Sequence, residues 1–252
     1  MLFKIMVLDT VSTDMRKYAD FAVWHECGFE LSGHTFSVSN ALSSVVDREC
    51  DLVFCVDRPS SVLSVDFLRK ARSRNIDIPT IVISHVESTK NIRECFLLGA
   101  IDCLAEPIEQ DDLRDALTRA SEYVCRGVMN TEYSKAVESA LQNIELTDSN
   151  ASLMEKLREF LAKTQGKAVS VEQAADYFGF NPDYFRRYFK QRAGISFSDF
   201  YKRLLMDYAG LLLHSGHYRV NEVSELLGFS SPDYFTRVFK KVTGKLPSDL
   251  KK

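Results

Sequence analysis

The last hundred residues of the chain contain an internal repeat. The segments PDYFRRYFKQRAG at 182–194 and PDYFTRVFKKVTG at 232–244 are identical at 8 of 13 positions, at a constant offset of 50 residues. Such self-similarity indicates a duplicated supersecondary unit. Each copy follows a short amphipathic stretch, a glycine (Gly179 or Gly228) and a helix-capping Asn or Ser directly before its proline. The sequence therefore predicts two helix-turn-helix units.

The second helix of each unit carries a charged face opposite its phenylalanines, because the charged residues follow i, i+3, i+4, i+7 spacing. Arginine can bond bidentately to guanine in the major groove, and lysine supplies charge for phosphate oxygens. A solvated face without function is the alternative, and duplication in one register argues against it. The predicted DNA-contacting residues are Asp183, Arg186, Arg187 and Lys190 in the first copy and Asp233, Thr236, Arg237 and Lys240 in the second.

One continuous helix is predicted between the two copies, over residues 197–214. At 1.5 Å per residue it would span on the order of 27 Å. Successive major-groove faces on one side of a duplex lie about 34 Å apart. A single chain could therefore present both recognition helices to one DNA molecule.

Charge and length support a division into two parts. A chain of 252 residues is long enough for two domains. Residues 151–252 hold 17 basic and 11 acidic side chains, whereas the preceding residues hold 15 basic and 24 acidic ones. This asymmetry indicates a polyanion-binding half joined to one that is not. Because the sequence shows neither a signal peptide nor a membrane span, we expect a soluble, cytoplasmic protein.

Residues 1–126 alternate five short apolar runs with amphipathic helical stretches. This pattern predicts a doubly wound, five-stranded parallel sheet with helices on both faces. Function in such sheets lies beyond the carboxyl ends of the strands, which here carry Asp9, Val56, Asp57, Ser84 and Glu106. Residues 127–150 have few large apolar residues and are predicted to be a linker, partly helical, before a new core begins near Leu153.

All six cysteines lie in the acidic half, without CxxC spacing or histidine partners. This distribution argues against a zinc site and favours reduced, buried thiols in a reducing compartment. A redox switch is the alternative.

Residues 151–252 resemble the AraC-type DNA-binding domain of seven helices. The resemblance covers this whole region through the signature GF-x(2–3)-DYF-x-R-x-FK-x(3)-G, which occurs twice. It implies that the middle helix is a rigid connector and that the protein activates or represses transcription, often beside RNA polymerase. Leu205 and Tyr208 stand where basic residues are common in that family, which implies that some phosphate contacts are missing.

Residues 1–126 are similar to the receiver domain of response regulators, in the subgroup joined to AraC-type domains. The segments WHECGFELSGHTFSVSNAL, IPTIVIS and LLGAIDCLAEPI carry this resemblance. A working receiver needs clustered carboxylates for Mg²⁺, a phosphoacceptor aspartate at the end of the third strand and a lysine. The first acidic position is kept as Asp9, but its neighbour is Thr10.

The remaining receiver positions depart from the family pattern. Ungapped alignment places Val56 at the phosphoacceptor position and Asp57 one residue later, which turns that side chain to the opposite face of a strand. Glu106 replaces the lysine and would repel phosphate, whereas Ser84 keeps the hydroxyl. We therefore favour a receiver that has lost phosphotransfer; the alternative is a bulged strand end that lets Asp57 accept phosphate, as in a conventional two-component response regulator. The resemblance also implies a cis peptide bond between Glu106 and Pro107.

The sequence as a whole predicts an α/β receiver-like domain (1–126), a linker (127–150) and an all-α DNA-binding domain (151–252) of a transcription regulator. Double-stranded DNA is the expected partner; RNA polymerase and a second copy, bound through the first domain, are further candidates. We expect no enzymatic activity, metal or cofactor. An adaptor that occupies another protein is a competing function, which the arginines of the recognition face disfavour, and self-phosphorylation at Asp57 is a third.

Overall fold

The computed structural model describes residues 2–10, 22–58, 62–84, 89–144 and 151–250. The chain divides into two compact units, Met1–Arg126 and Gly127–Lys252. In the described part of the chain, no helix combines the length and apolar character needed to cross a membrane.

The first unit is built on a five-stranded, all-parallel sheet, as the alternation of apolar runs predicted. The strands follow the order β2-β1-β3-β4-β5, which is a doubly wound topology. Because helices cover both faces, the central strands are almost continuously apolar and buried. The strands are β1 (Phe3–Asp9), β2 (Phe29–Thr35), β3 (Leu52–Asp57), β4 (Thr80–Ser84) and β5 (Asp102–Ala105).

The helices of this unit are amphipathic and pack on the sheet. The apolar core on one face joins Leu8, Cys55 and Val82, which pair in register across three strands, with buried residues of three helices. Residues 11–21 lie outside the described part. The helices are α1 (Ala22–Glu26), α2 (Val38–Val46), α3 (Ser64–Ser73), α4 (Thr89–Leu98) and the first half of α5 (Gln110–Gln142).

Helix α5 continues through the segment predicted to be a linker. It is 33 residues long, and its second half is a structural part of the second unit. Tyr133, Ala136 and Ala140 follow a helical period and are buried there. Alanines add little to a hydrophobic profile although they allow close packing, so the sequence pattern was too weak to reveal this helix. Residues 145–150 lie outside the described part.

The second unit has one core, dominated by aromatic side chains, and its helix count matches the predicted seven-helix architecture within residues 151–250. The connecting helix predicted over 197–214 is continuous and 19 residues long. The elements are α6 (Ala151–Thr164), α7 (Val171–Phe178), α8 (Pro182–Ala193), α9 (Phe197–Ser215), α10 (Val220–Leu226), α11 (Pro232–Thr243) and a final 3-10 helix (Pro247–Leu250).

Candidate nucleic-acid interface

The turn before α8 is formed by local signals in the sequence. Gly179 ends α7 in the left-handed region, with φ of 75°, a conformation that glycine adopts without a steric penalty. The side chain of Asn181 accepts a hydrogen bond from the backbone N–H of Tyr184 at 2.9 Å, and Pro182 occupies the first turn of α8. The predicted helix, glycine turn and helix are confirmed.

The second copy repeats these features. Gly228 has the same φ of 75°, and the Ser231 hydroxyl accepts a hydrogen bond from the N–H of Tyr234 at 3.2 Å. Helix α11 begins at a proline and ends at a glycine with positive φ, as α8 does. The two helix-turn-helix units are therefore alike in local geometry as well as in sequence.

Phenylalanines anchor both recognition helices. Phe185 and Phe189 in α8, and Phe235 and Phe239 in α11, are all fully buried. In each helix the two ring centroids lie less than 6 Å apart. Since these rings define the inward face, the opposite face of each helix is directed to solvent, as predicted.

The eight predicted DNA-contacting residues lie on that outward face. Seven are exposed and one, Thr236, is half-buried. The structure thus presents the predicted residues to solvent, whereas their contacts with DNA stay predictions. The exposed seven are Asp183, Arg186, Arg187, Lys190, Asp233, Arg237 and Lys240.

Arg186 differs from its neighbours because it is held by two carboxylates. Its guanidinium donates hydrogen bonds to Asp183 and to Glu172, each at 2.8 Å, and the second bond ties α8 to α7. Within the described residues, Arg187 and Lys190 have no such acidic partner. Arg186 must break two ion pairs before it can reach a base edge. In the first helix-turn-helix unit, Arg187 is therefore the more readily available arginine.

The second helix-turn-helix unit holds its arginine, Arg237, differently. Thr236 replaces Arg186 at the equivalent position, and the Arg237 guanidinium lies 5.9 Å from the centroid of the Tyr234 ring. This distance is within the range of a cation–π interaction. The Tyr234 ring is uncharged, so this contact does not neutralise the Arg237 guanidinium.

Sequence reasoning missed two exposed tyrosines on the recognition helices. Tyr184 and Tyr234 occupy equivalent positions and are 46% and 49% exposed. Tyr184 packs edge-on against Phe180, with ring centroids 4.9 Å apart, and Tyr234 packs against Phe229. The repeat itself contained this signal. The tyrosine is identical in both copies, but its spacing does not place it on the helix face of the buried phenylalanines.

In the first unit, Asp9 at the end of β1 is fully buried and paired with Arg58. The guanidinium donates from Nε to Oδ1 at 2.9 Å and from Nη2 to Oδ2 at 2.6 Å. A bidentate pair of this kind neutralises the carboxylate that a magnesium site would use. Thr10, its neighbour, supplies no second carboxylate.

Asp57 is also buried, but on the other face of the sheet. Asp9 pairs in register with Val56, whereas β3 continues in regular register through Asp57, which pairs with Ser84. Residues paired in register share a face, and consecutive residues alternate faces. The two aspartates therefore project from opposite sides of the sheet, as the one-residue offset in the sequence predicted.

The Asp57 carboxylate caps α3. Its Oδ1 accepts hydrogen bonds from the backbone N–H groups of Leu63 at 2.8 Å and Ser64 at 2.9 Å, and its Oδ2 accepts one from the Ser64 hydroxyl. A carboxylate at a helix N-terminus is stabilised by the unpaired N–H groups there. The Asp57 carboxylate is thus bound to the N-terminus of α3 by three hydrogen bonds.

Beside Asp57 lies a cluster of thiols. The Ser64 hydroxyl oxygen is 3.2 Å from the sulfur of Cys95. A hydrogen bond from the Cys103 thiol lowers the pKa of Cys95, against the effect of burial and of the Asp57 charge. Burial strongly raises the pKa of Cys55. All six cysteines of the chain are free thiols.

The other two predicted pocket residues end adjacent strands. Ser84 pairs in register with Ala105, and the carbonyl of Ser84 accepts a hydrogen bond from the Glu106 N–H at 3.3 Å. The peptide bond between Glu106 and Pro107 is cis, which confirms the expectation. Among the described residues, no cluster of three or more His, Cys, Asp or Glu side chains could hold a metal ion.

A family model described as a helix-turn-helix domain matches residues 152–252. This range contains both copies of the repeat and the helix between them. Residues 152–252 form an AraC-type helix-turn-helix domain. This domain follows the doubly wound α/β unit of the first half of the chain.

The chain is similar to several known proteins. The chain is 22% identical over 251 residues to an uncharacterized response regulatory protein of Staphylococcus epidermidis, covering 100% of this chain and 99% of the relative. It is 27% identical over 109 residues to the uncharacterized HTH-type transcriptional regulator YijO of Escherichia coli, covering 43% of this chain and 38% of that protein. The solved receiver domain of the Francisella response regulator 1452 covers 48% of this chain at 24% identity, with a TM-score of 0.39.

Leu205 and Tyr208, which stand where basic residues are common in AraC-type domains, are buried. Leu205 is 7% exposed and Tyr208 is 1% exposed, and both contribute to the core of the domain. The Tyr208 ring packs edge-on against Tyr133 of α5, with centroids 5.2 Å apart. Apolar side chains at these positions are explained by burial in this chain.

Proposed function

We propose that the protein is a sequence-specific, DNA-binding transcription regulator. The observation that carries this proposal is the pair of equivalent arginine-bearing helices, α8 and α11, which are anchored alike in two helix-turn-helix units connected by helix α9. The similarity to a response regulatory protein and to an HTH-type transcriptional regulator supports the same function.

The recognition residues divide by chemistry. Arg187 and Arg237 lie near the middle of their helices, and their planar guanidinium groups suit guanine edges. Lys190 and Lys240 lie one turn later and suit phosphate oxygens, which fix position without reading sequence. Arg186, bound to two carboxylates, serves first to join the two helices of its unit.

Salt dependence of binding tests this proposal. A preferred duplex would be selected from a random-sequence pool with the full-length protein, and its Kd measured between 50 and 200 mM salt. Each neutralised phosphate contributes a slope of about −0.9 to the plot of log K against log salt. We expect selection of a defined sequence and a steep loss of affinity. Enrichment of no sequence, or binding that salt does not weaken, would refute the proposal.

We further propose that the receiver-like unit works without conventional aspartyl phosphorylation. Three features support this: Asp57 is buried and engaged by the N-terminus of α3, Asp9 is paired with Arg58 on the other face, and Glu106 stands at the lysine position. An acceptor aspartate must instead expose an oxygen to the phosphoryl donor beside a bound Mg²⁺.

Beryllofluoride, which mimics an acyl phosphate, distinguishes the two modes. We expect that adding it with Mg²⁺ to the full-length protein changes neither the sedimentation coefficient nor the affinity for the selected duplex. A shift in either quantity that Asp57→Asn abolishes would establish the alternative, a conventional response regulator phosphorylated at Asp57. The same sedimentation experiment tests the predicted homodimer, and RNA polymerase stays a predicted partner.

A further inference from the structure

A groove of about 760 Å³ lies within the AraC-type domain, between the first half of α9, the segment before α7 and one side of α11. Its apolar floor consists of the half-buried side chains of Val169, Val171, Phe229, Val238 and Val242. Phe197, Leu205 and Met206 also line the groove, but they are buried and offer a ligand little surface. The groove thus combines apolar and polar side chains, and none of its lining residues belongs to α8.

The rim of this groove is basic. Lys202 and Arg203 extend from α9, and Arg237 and Lys241 from α11. The one acidic residue of the lining, Asp199, accepts a hydrogen bond from the hydroxyl of Ser196, the N-cap of α9, at 2.8 Å. Four cations around an apolar floor attract an anion, and the floor favours one with an apolar body.

We propose that this groove binds a small amphipathic anion, an organic acid with a flat apolar body and one carboxylate or sulfonate group. Its volume falls in the range of about 300–1,000 Å³ that is typical of small-molecule sites. A DNA phosphate chain would use the basic rim but would leave the apolar floor unfilled. A protein partner would need roughly 800 Å² of surface from this side, far more than the groove itself offers.

Binding in the groove would be coupled to DNA recognition, and this part of the inference rests on the proposed function. Arg237 and Tyr234 both line the groove. Arg237 is also the predicted base-reading residue of the second helix-turn-helix unit. An anion in the groove pairs with the guanidinium and draws it away from the duplex. The ligand therefore lowers DNA affinity, and by linkage DNA lowers ligand affinity by the same factor.

The test uses 1-anilinonaphthalene-8-sulfonate as the probe, with the full-length protein and no DNA present. Its fluorescence rises on entering an apolar site, which gives a Kd directly. Ser198→Trp fills the groove from an exposed rim position, and Ser248→Trp is the matched control on the 3-10 helix, outside the lining. Likewise Lys241→Ala removes a rim charge, and Lys245→Ala removes an exposed charge nearby that does not line the groove.

We expect Ser198→Trp to abolish saturable binding and Lys241→Ala to weaken it by about tenfold, the factor expected for one charge-assisted hydrogen bond. Both controls should bind as the unchanged protein does, and circular dichroism should show all four variants folded. The uncharged analogue N-phenyl-1-naphthylamine should bind more weakly than the sulfonate. Equal binding by Ser198→Trp and Ser248→Trp would overturn the site, and equal binding of the charged and uncharged probes would overturn its preference for anions.

The coupling is tested separately by an electrophoretic mobility shift with the selected duplex. We expect the sulfonate to raise the Kd for DNA in the unchanged protein but not in Ser198→Trp. If the sulfonate binds and DNA affinity stays constant, the coupling is refuted while the site stands. Because the fluorescence titration contains no DNA, its failure is distinguishable from a failure of the proposed DNA-binding function.

Discussion

Arg58 and Asp9 form a bidentate ion pair at the carboxyl end of the sheet, with the Asp9 side chain fully buried and the Arg58 side chain 23% exposed. The arginine directly follows Asp57 in the chain. Its guanidinium neutralises the buried Asp9 carboxylate through two hydrogen bonds.

Removing this arginine should destabilise the first unit. Arg58→Ala leaves a buried carboxylate without its cation, which we expect to lower the free energy of unfolding by about 3–5 kcal/mol. Urea denaturation monitored by circular dichroism measures this change. Adding Asp9→Asn to Arg58→Ala should restore part of the loss, because the buried charge is then absent. A double variant as unstable as the sum of its single variants would contradict the assigned pairing.

Asp57 should behave as a helix cap. We expect Asp57→Ala to lower the free energy of unfolding by about 2 kcal/mol, since two backbone N–H groups and one hydroxyl lose their acceptor. Asp57→Asn should cost less, because its amide oxygen can still accept. The matched control is Asp66→Ala in the same helix, where an exposed carboxylate pairs with Lys70. An equal effect at both positions, measured by urea denaturation, would count against a capping role.

Two arginines should read base pairs and a third should not. Arg187→Ala and Arg237→Ala should each relax specificity at one base pair of the selected duplex, at a cost of about 1–3 kcal/mol. Arg186→Ala should lower affinity alike on every sequence, because its guanidinium joins two helices. Binding to duplexes with single base-pair changes distinguishes these outcomes, with the exposed Lys163→Ala on α6 as control. Uniform weakening by Arg187→Ala would reassign that residue to phosphate contact.

The Tyr234 ring should act through Arg237. A double-mutant cycle of Tyr234→Ala and Arg237→Ala on DNA affinity should give a coupling energy of about 0.5–1 kcal/mol, as for an exposed cation–π pair. Tyr234→Phe keeps the ring and should preserve most of the coupling. If the two alanine changes add without coupling, the ring does not orient the arginine.

Stability should depend on pH through His34. Burial lowers the pKa of His34, and the nearby Asp9 carboxylate opposes this only in part. The unfolded chain therefore binds a proton at a higher pH than the native chain, so the free energy of unfolding falls as pH decreases below about 6.5. His34→Gln should remove this part of the pH dependence in urea denaturation between about pH 7 and 5. The exposed His214→Gln is the control, and an identical loss there would contradict the assignment to His34.

The elements that could be predicted are those whose signals lie within one turn or one strand. Gly179 and Pro182 mark a turn by their own backbone preferences, and the spacing of Phe185 and Phe189 sets the inward face of α8. The strand at β3 is likewise evident from its apolar run. The second half of α5 has a weak sequence signal because two of its four buried residues, Ala136 and Ala140, are alanines, whose contribution depends on what packs against them.

By itself the sequence determined the two helix-turn-helix units, the parallel sheet and the offset of Asp57, since each follows from residues near one another in the chain. Only the tertiary structure decided that Arg58 neutralises Asp9, 49 residues away, that Arg186 is held by Glu172, and that a basic-rimmed groove forms beside α11. Ion pairs and grooves depend on distances between separate elements. No local pattern encodes those distances, because packing of the whole unit sets them.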